Sequence, residues 1–135
     1  MSGLHVRVRV ADEHYALPVA DVLEVAELGE VTPVPAAGAA VLGVRNLRGQ
    51  VLPVVDLATV FELSPTQPGR IVIAERGGLR AGLAVDTVAG VEELPEASEE
   101  VDSRHLAGAA LADGVLVGVV DVGSVLEAVE ESNAR

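Results

Sequence analysis

The chain has 135 residues and 13.8 kDa, room for one domain or one domain of two small halves and too little for a multidomain enzyme. Half its residues are hydrophobic but only 1% are aromatic, so the core must be built from Val, Leu and Ala, with 26 Val against 2 Ile. A formal charge of −12 repels phosphate backbones and anionic lipid, which argues against nucleic acid as a partner, and the lack of Cys excludes disulfides, thiolate metal sites, iron–sulfur clusters and a cysteine nucleophile while fitting a reducing cytosol.

In chain order, the N-terminus interleaves His5, Arg7 and Arg9 with Leu4, Val6, Val8 and Val10. That alternation lacks the continuous apolar stretch of a signal peptide and predicts a strand over 4–10. A turn at Asp12-Glu13 leads to a second strand over 14–19. Glu30 to Ala40 is a connector whose prolines favour extended chain and deny ladder donors. A strand over 51–56 precedes a short helix from Leu57 to Leu63, with Asp56 as its N-cap. Strands over 70–75 and 80–86 flank the hairpin signal Gly77-Gly78. Leu94 to Ser103 is an acidic loop, and a strand over 115–121 runs into a helix from Val122 to Glu131 capped by Asp121, with the tail from Glu130 expected to fray. The longest late apolar run, Val115 to Val120, is far short of the roughly 20 residues that cross a bilayer, so no direct membrane insertion is expected. Short β-branched runs between turn signals predict a mainly β protein, a small barrel or sandwich.

The two Asp-capped helices suggest an internal repeat. A gapless offset of 65 residues aligns Arg48 to Glu62 with Asp113 to Glu127, and Gly49, Val54, Val55, Asp56, Val60 and Glu62 meet identical residues. The same offset pairs Gly43 with Gly108 and Asp21 with Asp86. The expected organisation is a single domain over 1–135 with two pseudo-repeated halves, near 1–65 and 66–135, whose boundary strand exchange would blur.

Little in the chain points to catalysis. His5, His14 and His105 lack metal-ligand spacing, no Ser sits in Gly-x-Ser-x-Gly, and neither a Walker pattern nor Gly-x-Gly-x-x-Gly before a helix occurs. Paired carboxylates such as Glu92-Glu93 and Glu99-Glu100 read as solvated surface. No catalytic residue, cofactor or metal is expected. The unusual segment is Val44-Arg45-Asn46-Leu47-Arg48-Gly49-Gln50, which places two of only nine basic residues before an apolar strand. An Arg there is placed to meet a carboxylate, a contact that fixes geometry as well as adding energy. Ordinary surface pairing is the bland alternative.

Gly43 to Leu57, read as Gly-Val-Arg-Asn-Leu-Arg-Gly-Gln-Val-Leu-Pro-Val-Val-Asp-Leu, strongly resembles the signature of the chemotaxis coupling protein family, the CheW-like domains. Tyr15 to Val25 is similar to that family's early strand and turn, Thr32 to Pro35 to its connector, and Gly82 to Asp86 and Val119 to Asp121 to its later strands, so the resemblance spans residues 4–130. It implies two SH3-like five-stranded β-barrels packed side by side with short helices. It also implies a non-catalytic cytoplasmic adaptor that couples the cytoplasmic tip of chemoreceptors to the regulatory domain of a CheA-type histidine kinase in signalling arrays. By the same resemblance the receptor's helical hairpin docks in the groove between the barrels, Glu24 and Arg48 match an acid and arginine that pair near the receptor face, Val22 and Gly43 match positions lining that groove, and apolar barrel edges meet the kinase. Arg45 stands where the family is usually smaller. Asn46 and Gly49 read as turn residues, Asn through side-chain-to-backbone bonding and Gly through positive φ. Two alternatives stay open: a CheW-like scaffold for a non-chemotaxis histidine kinase, and a small barrel enzyme or ligand-binding protein using the inter-barrel cleft.

Overall fold

The computed structural model describes residues 3–133. Its elements are β1 (Gly3–Val10), β2 (Glu13–Pro18), a 3-10 turn (Val19–Asp21), β3 (Val22–Glu27), β4 (Val41–Leu47), β5 (Gln50–Asp56), α1 (Leu57–Val60), β6 (Arg70–Arg76), β7 (Leu79–Val85), β8 (Thr87–Leu94), β9 (Leu106–Ala112), β10 (Val115–Val120) and α2 (Val122–Asn133). All six strands and both helices predicted from the residues are present. Their details differ in three places. The first turn is Ala11-Asp12, with Val10 opposite Glu13, because Ala11 at φ 54° donates its N–H to Asp86 Oδ2 at 2.8 Å, an anchor 75 residues away. The helix α1 stops at Val60. The helix α2 continues to Asn133 through most of the tail expected to fray, with Val125, Leu126 and Val129 buried against the sheets; residues 134–135 lie outside the described residues.

The strands form two five-stranded sheets, β8-β1-β2-β10-β9 (sheet I) and β3-β6-β7-β5-β4 (sheet II). The 65-residue offset carries β1 to β5 onto β6 to β10. Sheet I therefore takes two strands from the first set and three from the second, and sheet II the reverse. The exchange rests on four pairings between the two sets, β2 with β10 and β5 with β7, which are parallel, and β1 with β8 and β3 with β6, which like the remaining neighbours are antiparallel. The offset also reaches the turns: Arg48-Gly49 (φ 51° and 81°) and Asp113-Gly114 (φ 50° and 78°) are two-residue hairpin loops with both residues left-handed, the geometry whose twist suits paired strands.

Alternation along the inner strands explains the packing. On β6, Ile71 and Ile73 face Leu52, Val54 and Ala84 inside sheet II, while Val72 and Ala74 face a core shared with sheet I. That shared core also holds Val6, Val8, Val10 and Leu17 of sheet I and the apolar stripe of α2. A smaller cluster of Ala16, Leu94, Val117 and Val119 lies within sheet I. The single Tyr and single Phe stack on each other, Tyr15 over Phe61 at 4.6 Å between centroids and 12° between planes. Asp56 accepts from Ala58 N at 3.2 Å and Asp121 from Ser124 N at 3.0 Å, so both aspartates cap helices as expected.

Among the described residues neither sheet closes into a barrel through a strand ladder. Each is bridged at its seam by the segment that follows one edge strand. After β3, Thr32 exchanges two backbone hydrogen bonds of 2.8 Å with Val44 on β4; after β8, Ser98 exchanges two of 2.9 Å with Ala109 on β9.

Candidate docking site

The seam of sheet II gathers the residues that the sequence singled out. Its free edges are β3 and β4, and Arg48 sits in the turn just beyond β4. At φ 51° its side chain reaches across the seam, where Nη2 donates to Glu24 Oε2 on β3. The turn is braced as its residue types predict: Gly49 N donates to Asn46 Oδ1 at 3.0 Å, and Gly49 takes φ 81°. The Arg48 side chain is 68% exposed and that of Glu24 35%, so the pair contributes at most about 1 kcal/mol to stability. Its larger effect is geometric, fixing where a cation and a carboxylate stand across the seam.

Only Glu24 and Arg48 of the four candidate residues meet directly. Val22 lies on the same β3 edge, opposite Ala74 and packed on the shared core, and the extra residue Leu23 bulges out between Val22 and Glu24. Gly43 lies on β4 but is buried beneath the connector. A Cβ there would stand 2.2 Å from Thr32 O and 2.9 Å from Pro33 Cα, and its φ is +150°. Glycine at this position lets the connector lie on the strand.

Two contributors escape a reading of the residues alone. Thr32 supplies the backbone bridge, and Arg45 donates from Nε to Leu28 O at 2.7 Å and from Nη1 to Asn46 O at 2.9 Å. Links run from Glu24 to Arg48, Leu28 to Arg45 and Thr32 to Val44, rising along one side and falling along the other, so the seam is antiparallel. Side chains span its open end and backbone its closed end. The available signals were Gly29 and Gly43, each marking a close approach.

A second feature is a hollow of about 230 Å³ lined by Ala40, Val41, Val60, His105, Val125 and Val129. His105 Nδ1 lies 2.8 Å from Ser124 Oγ at its edge. Burial, and then the neighbouring Arg104 charge, push the imidazole below its ordinary 6.5, with Asp121 opposing. The Asp121 carboxylate caps α2 at Ser124 N, and the imidazole bonds the serine through Nδ1. Among the described residues no group of three or more His, Cys, Asp or Glu could hold a metal ion. Among the described residues no helix is long and apolar enough to cross a membrane.

This architecture recurs in known proteins. The CheW-like domain family model matches residues 5–130. Protein FrzA of Myxococcus xanthus is 34% identical over 128 residues, covering 93% of this chain and 78% of its own, and chemotaxis protein CheW of Rhizobium meliloti is 28% identical over 137 residues, covering 93% and 88%. The sensor histidine kinase CheAY of Helicobacter pylori contains a region 30% identical over 128 residues, 89% of this chain but 16% of the kinase. The crystal structure of the scaffolding protein TtCheW from Thermoanaerobacter tengcongensis aligns with TM-score 0.77 at 30% identity, covering 90% of both chains. In sequence and in fold, the chain belongs to the CheW-like domain family, the coupling and scaffold proteins of chemotaxis-type signalling.

Proposed function

We propose that this protein is a non-catalytic cytoplasmic adaptor that couples the cytoplasmic tip of chemoreceptors to a CheA-type histidine kinase within signalling arrays. The observation that carries this reading is the Glu24–Arg48 pair spanning the seam of sheet II, formed by the two residues that match the family's pairing acid and arginine. In this reading Val22, Glu24, Gly43 and Arg48 build the receptor face. Glu24 and Arg48 present paired charges, Val22 supplies apolar contact, and Gly43 seats the connector beside them. The kinase meets an apolar barrel edge. Leu111 and Leu116 stand directly opposite each other on β9 and β10, 65% and 66% exposed, an apolar surface of the kind that contact requires. A kinase that itself contains a region similar to this chain supports pairing between like domains.

The test is isothermal titration of the purified protein against a CheA-type regulatory domain and a soluble receptor hairpin from the same genome. Both should bind, and Glu24→Ala should weaken the receptor arm while sparing the kinase arm. Binding of neither sinks the reading. A second reading, a CheW-like scaffold for a non-chemotaxis histidine kinase, shares the same family and fold. Kinase binding without binding of any chemoreceptor hairpin would select it.

A further inference from the structure

Arg45, just before the Asn-Leu-Arg-Gly turn on β4, is the least expected side chain there, and it makes two hydrogen bonds. Its guanidinium joins the carbonyl of Leu28, one residue past β3, to that of Asn46 on β4. Asn46 in turn accepts from Gly49 N, beside Arg48. Together with Arg48 to Glu24 these bonds form a circuit that crosses the seam twice, four residues apart on the β3 side and three apart on the β4 side. The surroundings are shaped to this guanidinium. Gly29 holds φ +64°, and a Cβ there would stand 2.8 Å from Arg45 Nε and 2.9 Å from Nη2. The offset places Ala110 and Asp113 at the corresponding points of sheet I, so no arginine side chain can span that seam at those positions.

We propose that Arg45 is a positioning residue, a latch that holds the unpaired edges of sheet II in the register at which Arg48 meets Glu24 and so sets the geometry of the docking face. The planar fork is what suits it, since one group donates to two carbonyls on opposite sides of the seam. The docking half of this inference rests on the adaptor reading above, and the latch half does not.

The test combines two readouts on Arg45→Ala. Amide exchange at Thr32 and Val44, followed by NMR in the free protein, should accelerate roughly tenfold when one net hydrogen bond of the seam is removed. Receptor-hairpin affinity should fall by a similar factor, and the loss should not add to that of Arg48→Ala in the double variant, since both act through one arrangement. Gly29→Ala supplies a second perturbation that displaces the guanidinium without deleting it. It should accelerate the same amides in the native background, and by less beside Arg45→Ala, where only the strain of Ala at φ +64° remains. Unchanged Thr32 and Val44 exchange would overturn the latch. Accelerated exchange with unchanged receptor affinity, or losses from Arg45→Ala and Arg48→Ala that multiply, would overturn the positioning role and leave Arg45 structural. If the native protein binds no receptor hairpin the adaptor reading fails, and the exchange result alone decides the latch.

Discussion

Replacing Gly43 by Ala tests the seam at its tightest point. The added Cβ would stand 2.2 Å from Thr32 O, 2.7 Å from Thr32 C and 2.9 Å from Pro33 Cα, all backbone atoms, so no rotamer change relieves the clash. The connector must lift from β4, breaking Thr32 N to Val44 O and Val44 N to Thr32 O, both 2.8 Å. At about 1 kcal/mol net for each bond and about 1 more for holding a non-glycine residue at φ +150°, the substitution costs roughly 3 kcal/mol. A domain with some 5–15 kcal/mol of stability stays folded but melts about 10 °C lower. Urea denaturation followed by circular dichroism measures the loss, and amide exchange at Thr32 and Val44 locates it. Gly108→Ala is the internal control. Its Cβ would lie 2.5 Å from Ser98 O, and it would break the matching Ser98–Ala109 bridge without a positive φ, so it should cost about 1 kcal/mol less. A Gly43→Ala protein with an unshifted urea midpoint and protected Thr32 and Val44 amides would refute the reasoning; lost receptor binding at native stability would assign Gly43 to the groove surface itself.

Arg48→Ala should keep its native circular dichroism spectrum and change stability by no more than about 1 kcal/mol, because the ion pair is exposed, while losing receptor association in titration; an unfolded variant would make Arg48 structural. Asp121→Ala removes the acceptor for Ser124 N and should destabilise by about 1 kcal/mol in urea, with early loss of α2 helicity. Burial, reinforced by Glu13, raises the Tyr15 hydroxyl from its ordinary 10.0 to about 12. Below pH 10 native and unfolded chains both carry neutral tyrosine; above it the unfolded chain releases its proton first, so stability falls as pH rises from 10 towards 12. Ultraviolet titration of this single tyrosine should show phenolate forming near 12 with unfolding alongside, and ionisation at 10 in a folded chain would contradict the burial argument.

The six strands legible in the residues, β1, β2, β5, β6, β7 and β10, each have a neighbour on both sides. Several are buried on both faces, so their sequences read as apolar runs such as Ile71-Val72-Ile73-Ala74. The four strands not individually predicted, β3, β4, β8 and β9, are the sheet edges. Edge strands carry glycines and charges, as in Gly43, Arg45 and Gly90, Glu92, and β8 is exposed over most of its length, so hydrophobic period is weak there. The repeat held the missing information, because β4 shifted by 65 residues is β9, with Gly43 landing on Gly108. The candidate site divides in the same way. The Glu24–Arg48 partnership followed from motif resemblance, and Asn46 and Gly49 from turn chemistry, whereas the bonds of Arg45 to Leu28 and of Thr32 to Val44 run to backbone groups that carry no residue identity.

The strand-forming alternation, the helix caps at Asp56 and Asp121 and the glycine turns at Gly49 and Gly77-Gly78 are legible along the chain, because these depend on neighbours a few residues apart. Which strands share a sheet, that the seams stay open, and which side chains span them come from the fold alone. Those outcomes depend on parallel pairings and seam contacts between segments that local pattern leaves uncoupled, such as β5 with β7 and β2 with β10.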